Sequence, residues 1–235
     1  MTRMLASVSN CFEVDKLLNA GVDIIDLKDP SRGALGAVSV EIARKVVKHV
    51  NHSKPVSATI GDLVSPAEID SAIQMMSGTG VDIIKVGIFG TTIDNNIFRV
   101  LESYAVSGID LVLVFFADEG LPTGDFDDIA SAGIRGVMLD TANKQSGSLP
   151  TILDSTQMHD FVDRAHRKGL WAGLAGSLRA LDISNLLTFN PDYLGFRGAI
   201  CHKNMRNNAI DLNALYRIRQ LIPVQTDELA TSTAS

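Results

Sequence analysis

The sequence predicts an α/β fold, a single-domain (β/α)8 TIM barrel, and three observations carry that expectation. Eight short apolar runs alternate with helical patterns along a chain of 235 residues, which is the order and size of an eightfold barrel. Most runs are continuously apolar, as in parallel strands covered on both faces. The phrase Gly-Val/Ile-Asp-Ile/Leu recurs at Gly21, Gly80 and Gly108, one helix-stop-to-strand junction used three times. A doubly wound open sheet is the competing architecture. No GxGxxG or P-loop opens a strand-to-helix turn here, which weighs against it.

Taken in order, residues 3–8 form the first apolar run, and residues 11–20 place Phe12, Val14, Leu17 and Leu18 at helical spacing. The second strand spans 22–28, a glycine-bearing loop 31–37, and a helix 40–50. After the third strand at 55–60, Ser65-Pro66-Ala67-Glu68 reads as N-cap, first-turn proline and capping-box acid. That helix ends near Gly78. Strands at 81–86, 110–116, 136–140, 170–175 and 193–197 alternate with helices at 94–106, 125–132, 156–168 and 179–188, and a helix at 212–221 closes the series. The barrel domain is expected over residues 1–222, followed by a polar, flexible tail at 223–235.

Composition narrows the function classes. The net charge is −6 with no basic block, which argues against nucleic acid as the main ligand. Cys11 and Cys201 lack metal or disulfide-framework spacing, as in a reducing compartment. The N-terminus lacks a signal-peptide core, and no apolar run approaches the length of a membrane span. A cytoplasmic protein that makes no membrane contact is expected, as is a homo-oligomer. No HxH, HExxH or CxxC occurs, so no protein-held metal is expected.

Active sites of this barrel lie at the C-terminal ends of the strands. That rule selects Asp26 and Lys28 on strand two, Ser57, Thr59 and the exit residue Asp62 on strand three, and Lys85 on strand four. It also selects Asp118 after strand five, Asp140 and the following Lys144 at strand six, Gly176 and Ser177 after strand seven, and Arg197 and Gly198 at strand eight. Lys28 and Lys85 sit in apolar runs, where an unpaired charge is costly to bury. Two adjacent amines depress each other's pKa, and a lysine with a lowered pKa attacks carbonyls to give a Schiff base. Asp26 and Asp140 are either proton carriers or charge partners of the lysines. Gly176, Ser177, Arg197 and Gly198 suit a phosphate at a helix N-terminus. The plainer reading of Ser177 is a cap of the next helix.

Several stretches together carry a family resemblance: DLKDP with GALGA at 33–37, PVSATIGD at 55–62, DIIKVGIFG at 82–90, GVMLDTANK at 136–144, LAGSL at 174–178 and GFRGAIC at 195–201. With these motifs the chain resembles the (5-formylfuran-3-yl)methyl phosphate synthase family of methanofuran and methylofuran biosynthesis. The resemblance implies a TIM-like barrel that condenses two molecules of glyceraldehyde 3-phosphate, a phosphorylated triose, with loss of phosphate and water and without a cofactor. It places the Schiff-base lysine on Lys28 with its acidic neighbour Asp26, a second catalytic lysine on Lys85, and a further acid and lysine on Asp140 and Lys144. A class I aldolase and a non-catalytic phosphate-sugar-binding barrel remain the alternatives.

Overall fold

The computed structural model describes residues 1–143 and 147–224. Most of the expected tail at 223–235 lies outside the described residues. The apolar runs become eight parallel strands: β1 Arg3–Val8, β2 Ile24–Leu27, β3 Val56–Thr59, β4 Ile83–Ile88, β5 Asp110–Phe116, β6 Gly136–Asp140, β7 Trp171–Leu174 and β8 Tyr193–Phe196. Each pairs with the next and β8 pairs with β1, so the sheet closes as the sequence predicts. The helices α1 Cys11–Asn19, α2 Val40–Val50, α3 Pro66–Ser77, α4 Asn95–Val106, α5 Asp127–Ser131, α6 Leu149–Ile152, α7 Ser155–Arg167, α8 Ile183–Leu187 and α9 Leu212–Leu221 follow in the connections. Among the described residues, no helix is long and apolar enough to cross a membrane.

The departures from the expected elements have local causes. β2 and β4 both start two residues late because the junction aspartates are spent elsewhere. Asp23 accepts a hydrogen bond from Met4 N–H and Asp82 from Val56 N–H, each at 2.7 Å. Both carboxylates thus tie the start of the preceding strand. Asp192 does the same for Ala172 N–H ahead of β8. The helix expected at 179–188 is a 3₁₀ turn, Ala180–Asp182, running into the short α8, as the Asp182 carboxylate folds back on the backbone and guanidinium of Arg179. Pro66 stands in the first turn of α3 as expected, but Ser65 makes no side-chain cap, so the capping box is not formed. Phe12 is exposed; Val14 and Leu17 carry the buried face of α1.

Strand alternation sorts the side chains into two cores. Outward-facing residues such as Ala6, Ile25, Ile84, Leu113 and Val137 pack beneath the helices. A second cluster, including Leu5, Ile24, Ile83, Val112, Val114, Met138 and Tyr193, fills the barrel interior. The Tyr193 ring fits there because its register partner is Gly173. A Cβ on Gly173 would lie 2.3 Å from the ring. Overpacking here is expected to cost about 1–3 kcal/mol. Gly173→Ala should therefore lower the urea midpoint, and adding Tyr193→Leu should recover part of the loss. An unchanged midpoint in the single variant would show that the ring has room to move.

Candidate active site

The register of β1, β2 and β3 sets Ser7, Asp26 and Ser57 side by side at one level of the barrel interior. Asp26 is fully buried and accepts hydrogen bonds from both hydroxyls at 2.7 Å, one on each carboxylate oxygen. Its Oδ1 also meets Lys85 Nζ at 2.5 Å. Lys28 stands one pleat above Asp26 on the same face, and its Nζ donates to Asp140 Oδ2 at 3.1 Å. The other Asp140 oxygen accepts from Thr141 N–H at 2.7 Å. Four ionisable groups expected from strands two, four and six are therefore brought together as two lysine–aspartate pairs.

The two pairs differ in access. Lys85 and Asp26 side chains are 3% and 1% exposed, whereas those of Lys28 and Asp140 are 10% and 7% exposed. Burial pushes the Lys85 ammonium below its usual pKa, and Lys28 adds to this against the opposing pull of Asp26. For Asp26, burial acts to raise the pKa, but the charges of Lys85 and Lys28 and the bonds from Lys85 and Ser57 win, so it is held low. Below them, burial and the Asp26 charge push the Tyr193 phenol up.

A cavity of about 970 Å³ opens above these groups, walled by the loops after β7 and β8. Gly176 and Ser177 both turn through positive φ, at 102° and 48°. A Cβ on Gly176 would lie 2.8 Å from Thr141 Cγ2, so glycine is needed for the close approach of the β6 and β7 loops. The N-cap position of the following turn is Arg179, so Ser177 does not hold the capping place its plainer reading assigned. Gly198 opens a 3₁₀ turn, Gly198–Ile200, at the cavity wall.

Arg197 departs from expectation. Its guanidinium grips the buried Glu13 carboxylate with two N–H groups and also donates to the carbonyls of Ser7, Arg206 and Asn208. All five of its donors are used, so its position serves to hold α1, β1 and the β8 loop together, and no donor remains for a phosphate. Asp62 and Asp118 are also spent on backbone. Asp62 accepts from Ala34 and Leu35 N–H, and Asp118 from Ala142 and Asn143 N–H, all at 2.7 Å. Lys144 lies outside the described residues. Among the described residues, no three side chains gather in a way that could hold a metal ion.

Sequence reasoning missed two contributors. Ser7 lies inside an ordinary apolar run, and its inward parity with Asp26 becomes visible only through the register. Arg206 lies in a polar loop with no motif, yet it lines the cavity and donates to the carbonyls of Pro30 and Gly33 at 2.5 and 2.6 Å.

Fold and site together define a (β/α)8-barrel protein with a paired lysine–aspartate centre at the C-terminal rim. The chain belongs to the 4-HFC-P synthase family, whose model matches residues 4–219. The (5-formylfuran-3-yl)methyl phosphate synthase of Methanopyrus kandleri is 34% identical over 228 residues, 92% of this chain and 96% of that protein. The synthase of Methanosarcina acetivorans is 30% identical, over 87% and 92% of the two chains. A Methylorubrum extorquens protein assigned provisionally to the same synthase is 38% identical, over 89% and 86%. The resemblance seen in the motifs is thereby established. Among solved structures, phosphoribosyl anthranilate isomerase from Thermotoga maritima superposes with a TM-score of 0.65, covering 94% of this chain and 98% of its own at 12% identity. That likeness concerns the fold alone.

Removing the deeper carboxylate tests the electrostatics. Asp26→Asn leaves Lys85 buried without its counter-ion, an expected cost on the order of 3–5 kcal/mol at pH 7. Burial already depresses Lys85, and loss of Asp26 depresses it further. The unfolded lysine keeps its proton to about pH 10.4. The folded variant releases it earlier, so its stability rises with pH across that interval. Urea unfolding at pH 7 and pH 9 should show the deficit against wild type narrowing. An equal deficit at both would mean that Asp26 is not the group that keeps Lys85 charged.

Proposed function

We propose that this chain is a (5-formylfuran-3-yl)methyl phosphate synthase, a Schiff-base-forming carbon–oxygen lyase that condenses two glyceraldehyde 3-phosphates. The observation that carries the reading is the cavity-facing Lys28–Asp140 pair standing above a second, buried Lys85–Asp26 pair. Family membership supports the product class, and glyceraldehyde 3-phosphate as the substrate is carried over from the motif resemblance.

In this reading Lys28 is the nucleophile because it is the more open of the two lysines. Asp140 takes its proton, and the free amine adds to the aldehyde with loss of water. The iminium withdraws electrons, so the neighbouring carbon gives up a proton and phosphate leaves from the next carbon. The second triose first shifts a proton from C2 to C1 and becomes its ketone isomer. The terminal carbon of the three-carbon enol then bonds to the C2 carbonyl carbon of that ketone, the connection a 5-formylfuran-3-yl product requires. Dehydration closes and aromatises the ring, and hydrolysis frees Lys28. Two triose phosphates thus yield one furan aldehyde phosphate, one phosphate and two waters.

Lys85 tunes this chemistry through its charge. Asp26, committed to three donors, serves as its fixed counter-ion. Asp140, with its link to the mobile proton of Lys28, is the proton carrier, and Lys144 is assigned to pKa tuning or phosphate contact. Backbone groups of Gly176, Ser177 and Gly198 form a phosphate site at the opposite wall. A cytoplasmic homo-oligomer supplying the furan of a C1 carrier completes the reading.

Borohydride reduction in the presence of glyceraldehyde 3-phosphate, followed by peptide mass analysis, should place an adduct on Lys28. Lys28→Ala should lose it and lower turnover by more than about 10³-fold. Asp140→Asn should slow turnover by about 10²–10⁴-fold. Furan absorbance should appear together with inorganic phosphate. An aldol product that retains both phosphates would replace this reading with a class I aldolase.

A further inference from the structure

We propose that Arg206 is the second anion-binding group of this site and holds the phosphate of the triose bound at Lys28. The inference rests on the functional reading above and assigns a residue to one of the two phosphates that the reading requires.

Arg206 reaches from the loop after β8 across the cavity wall to the loop after β2, where it donates from Nη2 to the carbonyls of Pro30 and Gly33. Pro30 is two residues from Lys28, so the guanidinium is anchored beside the proposed nucleophile. Its Nε is buried and has no hydrogen-bond partner. Arg206 also makes no ion pair among the described residues, in contrast to Arg197 with Glu13, Arg179 with Asp182 and Arg164 with Asp160.

Buried donors are nearly always satisfied, and a partly buried cation ordinarily has a carboxylate in contact. Burial works against the charge of Arg206, and nearby Asp140 and Asp62 only partly offset it. A cavity-lining guanidinium held in place through Nη2 by two carbonyls, with no protein acceptor on Nη1 among the described residues, is preorganised to present that nitrogen to an oxyanion. Arg197 cannot fill this place because its donors are exhausted. The anion is a phosphate monoester, since an aldehyde on Lys28 presents no other negative group.

Two aldehydes separate recognition from architecture. Borohydride trapping on Lys28 is measured against concentration with glyceraldehyde 3-phosphate and with unphosphorylated glyceraldehyde, for wild type, Arg206→Gln and Arg206→Lys. The half-saturating concentration of the phosphorylated aldehyde should rise about ten- to hundredfold in Arg206→Gln, and less in Arg206→Lys. That of glyceraldehyde should be unchanged. An equal loss with both aldehydes would make Arg206 a loop tie, and no loss with either would remove it from binding; both outcomes overturn the proposal. If wild type forms no adduct, the Schiff-base reading fails and calorimetric titration with inorganic phosphate decides. Weaker phosphate binding by Arg206→Gln supports the anion site, and equal binding overturns it.

Discussion

Lys85 and Asp26 can occupy the barrel interior only as a pair. Either charge alone among Leu5, Ile24, Ile83 and Tyr193 would be too costly to bury. Together they need close contact and full hydrogen bonding, and the strand register supplies both. Ser7 and Ser57 flank Asp26 from either side at one level, leaving Lys85 to complete the carboxylate's set. This pair fixes the floor on which the more open Lys28–Asp140 pair stands. The spacing of Asp26 and Lys28 on one strand then has a simple meaning: one pleat separates the buried charge partner from the amine at the cavity.

The rim is organised by acids that bond to backbone. Carboxylates following odd-numbered strands hold the loops that follow even-numbered ones: Asp62 after β3 holds the β2 loop, Asp118 after β5 the β6 loop, and Glu119 accepts from Gly90 N–H in the β4 loop. The charged residues of the floor come from β2, β4 and β6. The lysine–aspartate centre and the scaffolding acids are thus divided between alternate strands, as the layered interior of an eight-stranded barrel permits. At the opposite end, Asp23, Asp82 and Asp192 precede β2, β4 and β8 and tie the preceding strands. The repeated Gly-x-Asp junction has this structural use at two of its three occurrences.

The barrel was legible because parallel strands buried on both faces leave uninterrupted apolar runs. Lys28, Lys85, Asp26 and Asp140 were legible because ionisable residues inside such runs stand out, and strand parity assigns them a side. Their pairing was not legible. Whether Lys28 meets Asp26 or Asp140 depends on cross-strand register, which no local pattern encodes. Arg197, Asp62 and Asp118 looked like ligands because position at the rim was the sole clue, and position does not reveal that a side chain's hydrogen-bonding capacity is already spent. Arg206 was invisible for the converse reason: its place depends on a loop folding back over the barrel mouth.

The separation of binding cations from reacting amines is itself a chemical requirement. The floor holds two lysines and two aspartates, so its charges sum to zero. A phosphorylated aldehyde adds negative charge, and a phosphate resting on the Lys28 ammonium would favour its protonated form. That form has no lone pair with which to attack a carbonyl. An arginine is the suitable counter-ion because its proton stays on across the working pH range. In the proposed reaction it neutralises the phosphate without competing for the proton that passes from Lys28 to Asp140. The site can then bind anions and keep a nucleophilic amine in one cavity only if the two tasks fall on different side chains.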